Sequence, residues 1–289
     1  MTTLINKTAT AAKPPQSPPA RSLRYSPRSA LGRHLGHGLW HYGRGWLSTL
    51  LLVLVWYIAS ATGYLSVRAL PGPDRILIRA WQLTLDGTLP QALWVSLSRV
   101  FWGALLGIAV GLSAGLVAGF SRLGEDLLDK PMQMIRTIPF TALVPLFILW
   151  FGIDELPKIL LVALGVMVPL YVNTFGGIRN VDIKLVEVAR VARMSRLAIA
   201  FQVLLPAALP NLLLGLRFAL ALGWIAIIVG ETVGANSGIG FLLTSARQFV
   251  RTDVMMVCVC LYALLGLVTD YMVRLLEKWL LCWRVAYAG

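Results

Sequence analysis

Six apolar windows run through this chain: Trp46 to Leu65, Val95 to Phe120, Met134 to Phe151, Pro157 to Phe175, Leu209 to Val233 and Val254 to Leu276. Crossing ~30 Å of hydrocarbon takes about 20 helical residues, so each window is long enough to span a bilayer. The expected fold is all-α, a polytopic membrane protein with six transmembrane helices. Composition agrees: 57% of residues are hydrophobic and 13% charged, against about 25% charged in soluble domains. Residues 1–45, rich in Pro, Ser and Arg and without an acidic residue, read as a disordered basic cytoplasmic tail. Residues 46–289 form the membrane domain. The "ASA" at Ala59 to Ala61 resembles a signal-peptidase site, but the 45 residues ahead of the window exceed a signal n-region, and the first window is expected to be a retained span.

A net charge of +13 raises the question of nucleic acid. Nucleic-acid binders gather Lys and Arg on one folded polar face, whereas here they sit between apolar blocks, so no nucleic-acid partner is expected. Their distribution sets orientation instead. With the N-terminus inside, 18 Lys and Arg fall on the cytoplasmic side and 6 on the outer side, namely Arg68, Arg75, Arg79, Lys158, Arg247 and Arg251. The positive-inside rule then gives N-in and C-in. Cys258, Cys260 and Cys282 lack the paired spacing of a zinc site, and neither a metal nor a cofactor is expected in this chain.

In the second window Gly103, Gly107, Gly111, Gly115 and Gly119 recur every fourth residue, a ridge that lets another helix backbone approach closely. The same run contains "GLSAG", which matches a hydrolase nucleophile elbow, but that motif needs a strand-turn-helix setting and a histidine. The histidines, His34, His37 and His41, all lie in the tail. A P-loop is excluded too, because none of the six lysines follows a glycine. Pro139 and Pro145 in the third window and Pro169 in the fourth bend helices, and inside a bundle such bends help build a cavity. "LPGPD" (Leu70 to Asp74) reads as a rigid turn, and "GANSGIGFLL" (Gly234 to Leu243) as a Gly-rich turn into a short amphipathic segment.

Charges inside spans are functional candidates by default. Arg217, roughly 12 Å into the fifth window, reads either as a place for an anion in a water-filled path or as a side chain snorkelling to the headgroups. Arg99 and Arg136 lie nearer span ends and carry the same two readings. Glu231 and Asp270 read as helix-pairing or gate residues, or as solvated boundary carboxylates. The candidate substrate path is therefore Arg217, Arg99, Arg136 and Glu231.

The segment "EVARVARMSRLAIAFQVLLP" (Glu187 to Pro206) is charged, cytoplasmic by the count above, and bracketed by apolar runs. Leu185, Val188, Ala189 and Ala192 share a narrow stripe on a helical wheel, with Lys184, Glu187 and Arg190 on another side. A helix floating on lipid would carry bulkier residues. The pattern predicts two short helices joined by a turn, presented to a soluble partner.

These residues resemble the membrane permease subunits of bacterial ABC importers. Their cytoplasmic loop, here about 176–208, carries Glu-Ala-Ala, a glycine and, about a dozen residues on, Leu-Pro; Glu187, Ala189, Leu205 and Pro206 match. Arg193 stands at the glycine position, which predicts a turn displaced toward Ser195, a longer first helix, or a strained residue. "MIRTIPFTALVPLFILWFGI", "LRFALALGWIAIIVGET", "ANSGIGFLL" and "FVRTDVMMVCVCLYALLG" are similar to the nitrate, sulfonate and taurine group, the aliphatic sulfonate permeases in particular. The resemblance implies a type I importer fold and a homodimer of two permease copies in the bilayer. It implies a pair of cytoplasmic ATPases, which bind ATP and Mg and contact Glu187, Ala189, Arg190, Arg193, Leu205 and Pro206, and a periplasmic substrate-binding protein. The chain itself is then a transport subunit and not an enzyme. Taurine, nitrate or a vitamin precursor are the alternative cargoes, and an ATP-independent channel or membrane enzyme the alternative class.

Overall fold

The computed structural model describes residues 47–64, 66 and 69–282. The expected tail, the window ends Trp46 and Leu65, and the counted charges Arg68 and Arg284 lie outside them. The chain parts into two units, Met1–Leu54 and Val55–Gly289. Helix α1, Leu47–Ala61, is short and apolar, and its described residues in the first unit are all exposed.

From Pro73 onward the described residues form helices only: α2 (Pro73–Leu85), α3 (Thr88–Phe120), α4 (Arg122–Thr137), α5 (Phe140–Phe151), α6 (Glu155–Arg179), α7 (Ile183–Val191), α8 (Arg196–Ala198), a π-helical stretch (Ile199–Leu204), α9 (Leu205–Gly234), α10 (Ile239–Gln248) and α11 (Thr252–Leu280). Four helices are long and apolar enough to cross a membrane: α3, α6, the continuous run Arg196–Gly234, and α11. A fifth exists only as the pair α4 and α5, bent by 102°.

That bend falls within the third window, where the apolar run Met134 to Phe151 predicts one span. Proline disfavours helical backbone in the residue before it; Ile138 is extended (ψ 123°) ahead of Pro139, so α4 stops at Thr137 and α5 restarts in a new direction. The prolines of the fifth window act differently. Arg196–Gly234 continues as one helix past Pro206 and Pro210, with a π-helical stretch, Ile199–Leu204, just ahead of Pro206. The second of the two expected short helices therefore flows into the span.

Packing is organised by the glycine ridge. All five glycines of α3 are buried. A Cβ on Gly107 would lie 2.5 Å from the Ala163 carbonyl oxygen, and one on Gly111 2.5 Å from that of Met167. Backbone cannot yield at that distance, so only glycine lets α3 and α6 meet here. Gly103 faces Val162, Gly115 faces Thr174 and Gly119 faces Ile178; the two helices run in the same direction. α9 runs against them, with Gly177 facing Ala208, Gly215 facing Asn173 and Gly223 facing Val166. Val100, Ala104, Val162, Val166, Leu170, Ala219, Trp224 and Ile227 fill the space between the three.

One end of the bundle thus gathers α2 and the starts of α3, α6 and α11, and the other gathers α4 and α7. Trp102, Leu105, Leu149 and Leu267 remain exposed, as expected of a surface that faces hydrocarbon.

Candidate functional site

At the α2 end, charge is buried. Arg99 of α3 and Glu231 of α9 are 2% and 1% exposed. The Arg99 guanidinium forks across two carboxylates. Its Nη1 donates to Glu231 (2.8 Å), while Nε and Nη2 donate to the two oxygens of Glu155 (2.5 and 2.6 Å). The Ser237 carbonyl and hydroxyl accept its remaining bonds at 2.7 and 3.0 Å. Glu231 also accepts from the Ser96 hydroxyl (2.7 Å) and the Gly240 N–H (2.8 Å), and Ser96 in turn accepts from the Ile239 N–H (2.9 Å). Those amides open α10, so the carboxylate sits where the helix dipole favours negative charge.

Lys158 bonds the carbonyls of Ile153 and Asp154 and lies 3.5 Å from Glu155. Two cations and two carboxylates balance. The network satisfies its own members, the condition under which buried charge is tolerated. Gly238 and Gly240 explain the "GANSGIGFLL" turn: a Cβ on Gly238 would lie 2.5 Å from Glu231 Oε1, and one on Gly240 2.6 Å from Glu231 Cβ.

Sequence reading marked Arg99 and Glu231 separately. The structure joins them across 132 residues, and adds Ser96, Glu155, Lys158 and Ser237. The sole sequence signal for the acid and base among these was Glu155 and Lys158, three residues apart at the start of a span.

Arg217 has partners as well. Its Nε lies 3.1 Å from Asp270 and its Nη2 2.7 Å from Glu277, both on α11; Asp270 also pairs with Arg274 at 2.6 Å. Its charge is taken up by α9–α11 pairing, which matches the helix-pairing reading of Asp270.

Arg136 differs. It stands in the last turn of α4, at the edge of a cavity of about 710 Å³ framed by the α4–α5 bend, α6 and α9. Thr137, Phe140, Asn173, Phe218 and Leu222 are among its walls. The volume suits a small ligand, and the lining is apolar with a few polar groups, as in small-molecule sites. Asn173 is held by a bond from its side chain to the Pro169 carbonyl (2.8 Å). Pro169 has no N–H, so the carbonyl of Gly165 in the cavity wall lacks its helical donor. Among the described residues Arg136 is the one cation in this lining.

The charged loop lies at the α4 end. Arg179, at the end of α6, pairs with Glu125 of α4. Asp182 caps α7 by accepting from the Lys184 N–H (3.0 Å), and Ser195 caps α8 through the Ala198 N–H (3.2 Å). Between them the chain turns at Arg193, whose φ is 55°. The Arg193 N–H bonds the Arg190 carbonyl (2.9 Å) and the Met194 N–H bonds that of Ala189 (3.1 Å), the paired bonds of a helix ended by a left-handed residue, usually glycine.

The turn has therefore stayed in place, and of the three expectations the strained residue is observed. Left-handed backbone costs an L-residue roughly 1–2 kcal/mol, partly offset by glycine's larger unfolded-state entropy. Arg193→Gly is expected to stabilise the protein by up to about 1 kcal/mol, raising the thermal midpoint in detergent by about 2–4 °C. A lower midpoint would contradict the strain.

Ala189 is buried at 4%, supporting the loop from within. Leu205 packs with Ile178, Ala208 and Leu212, and Pro206 is half-buried. Glu187, Arg190 and Arg193 are exposed, as are Leu185 (48%), Val188 (68%) and Val191 (85%). Among the described residues nothing covers them.

Residues 107–281 match the profile of a family described as binding-protein-dependent transport system inner membrane component. The chain is 45% identical over 249 residues to a putative aliphatic sulfonates transport permease protein of Bacillus subtilis, covering 85% of this chain and 90% of that one. It is 49% identical over 246 residues to the protein of the same description from Escherichia coli, covering 84% and 92%. A taurine transport system permease protein of Escherichia coli is 31% identical, covering 81% and 86%. Among solved structures, an inward-facing methionine ABC transporter superposes with a TM-score of 0.53 at 21% identity, covering 64% of this chain and 94% of that one. An amino acid ABC transporter gives 0.56 at 18%, covering 68% and 96%. At these identities the superpositions speak to the fold alone.

Proposed function

Because the chain belongs to the family of binding-protein-dependent transport system inner membrane components, we propose that it is the permease subunit of an ATP-driven importer carrying a small aliphatic sulfonate. The similarity to two sulfonate permeases across more than four fifths of the chain carries this reading. ATP and Mg belong to a separate pair of cytoplasmic ATPases, and this chain is not itself an enzyme. A substrate-binding protein delivers the anion on the outer side, two copies of the permease form the pathway, and N- and C-termini lie inside.

The geometry supports a division of labour. The cavity at the α4–α5 bend holds the anion in transit, with Arg136 as its counter-charge and Thr137 and Asn173 as hydrogen-bonding groups. The Arg99–Glu231–Glu155 network closes the outer end of the same bundle. The loop around Glu187 receives the ATPase, through exposed Glu187, Arg190 and Arg193. Arg217 steadies α9 against α11 near the path.

Reconstitution with the cognate ATPase and binding protein tests the reading: uptake of alkanesulfonates is expected to exceed that of taurine and nitrate. Arg136→Ala is expected to lower that uptake about 10-fold, the loss of one charge-assisted hydrogen bond, while substrate-free ATPase activity persists. Equal uptake of all three anions would refute the sulfonate assignment, and unchanged uptake by Arg136→Ala would remove the cavity from the path.

A further inference from the structure

Helix α2 does not cross the membrane. Its 13 residues reach about 20 Å, and it has three distinct faces. Ile76 and Leu83 are buried in a core with Ile239, Ala246, Val254 and Val257. Leu77, Trp81 and Leu85 form a second face and are 70%, 65% and 69% exposed. Arg75, Arg79 and Gln82, at positions i, i+4 and i+7, form the third. An exposed apolar stripe containing Trp beside an arginine stripe is the pattern of a helix lying in the headgroup plane.

The arginine face opens onto a cradle of about 450 Å³ whose far wall is the α10–α11 joint: Val250, Arg251, Thr252 and Asp253. Three arginines line this cradle, and one carboxylate, Asp253, faces them, 3.3 Å from Arg79 Nε. Two positive charges are left over. Among the described residues Arg75 and Arg251 have no carboxylate partner, and the Arg251 guanidinium lies over the Phe249 ring at 5.7 Å. The joint is shaped by Val250, held at φ 53°, where a β-branched residue is disfavoured. Bonds from the Val250 N–H to Arg247 (3.2 Å) and from the Arg251 N–H to Ala246 (2.8 Å) fix it.

We propose that this cradle binds the phosphate headgroup of an anionic phospholipid, in the leaflet at the end of the bundle opposite the Glu187 loop. Guanidinium forks match phosphate oxygens in pairs. Ile78 lines the cradle, is 58% exposed and leads onto Trp81 and Leu85, which gives the acyl chains an apolar track. A soluble anion would use the arginines and leave that track idle, and clustered Lys and Arg at the membrane surface attract anionic headgroups.

The test uses the full-length permease in detergent, titrated with dihexanoyl phosphatidylglycerol, dihexanoyl phosphatidylcholine and inorganic phosphate, with bound lipid counted by native mass spectrometry. Saturable phosphatidylglycerol binding is expected, about 10-fold weaker in Arg75→Ala/Arg251→Ala and unchanged in Lys130→Ala at the other end of the bundle. Equal binding by the double alanine variant and the wild type overturns the proposal. So does displacement of the lipid by inorganic phosphate at equal concentration, which would make this a soluble-anion site. A third contrary result is unchanged lipid binding with weakened affinity for a substrate-binding protein, which would make it a docking contact. If the alanine pair does not fold, Arg75→Lys/Arg251→Lys keeps the charge without the fork and is expected to bind roughly 3-fold more weakly; binding equal to wild type overturns the proposal.

Discussion

Arg99→Ala is expected to cost roughly 3–5 kcal/mol of stability, because it leaves a buried carboxylate without its cation. Glu231 would keep its bonds from Ser96 and Gly240 but lose the only guanidinium among the described residues that reaches it, at 1% exposure. At about 2–4 °C per kcal/mol for a protein of this size, the thermal midpoint in detergent should fall on the order of 10 °C. Removing both charges with apolar groups, as in Arg99→Met/Glu231→Leu, should recover part of that loss, since a buried pair replaced by packed side chains is often neutral. A midpoint for Arg99→Ala within a degree or two of wild type would show that the network contributes little.

The same network constrains how the bundle can open. Its bonds join α3, the start of α6, the end of α9 and the start of α10 at one end, where α3 and α6 already meet backbone to backbone along the glycine ridge. Within one copy these bonds tie the four elements together at that end. The bent α4–α5 arm is held differently: Pro139 breaks the helix there, and the cavity lies on the inner side of the bend.

What was readable in the sequence follows from range. The glycine ridge is a local repeat with one physical use, and its five positions all lie at the α3–α6 contact. Pro139 announced a break because proline acts on its immediate neighbour, although the 102° angle depends on how α5 packs. Pair identities were not readable. Arg99 and Glu231, or Arg217 and Glu277 sixty residues apart, meet only once helix directions are fixed, and an isolated arginine in an apolar run looks alike whether it awaits an anion or already has one. α2 was missed because "LPGPD" reads as a turn, and its Pro73 instead occupies the first helical position, where a missing N–H costs nothing.

Glu187→Lys should abolish transport while leaving the permease folded and inserted. Glu187 is exposed and forms no ion pair among the described residues, so its replacement removes nothing that holds this chain together, and surface substitutions of that kind usually stay within about 0.5 kcal/mol. Its neighbours point the other way. Val188 and Val191 are 68% and 85% exposed on the same short helix, and Ala189 anchors that helix from beneath. A short helix that exposes valines beside one acidic and several basic groups, anchored from beneath, suits a contact with another protein. Reversing the charge in such a contact leaves a like-charge pair in place of an attraction and costs several kcal/mol, enough for a loss of at least ~100-fold in complex affinity. The expected result is normal expression and thermal midpoint, failure to copurify with the ATPase under mild detergent, and no substrate-stimulated ATP hydrolysis after reconstitution. Uptake at the wild-type rate would mean that the ATPase is received elsewhere on this chain.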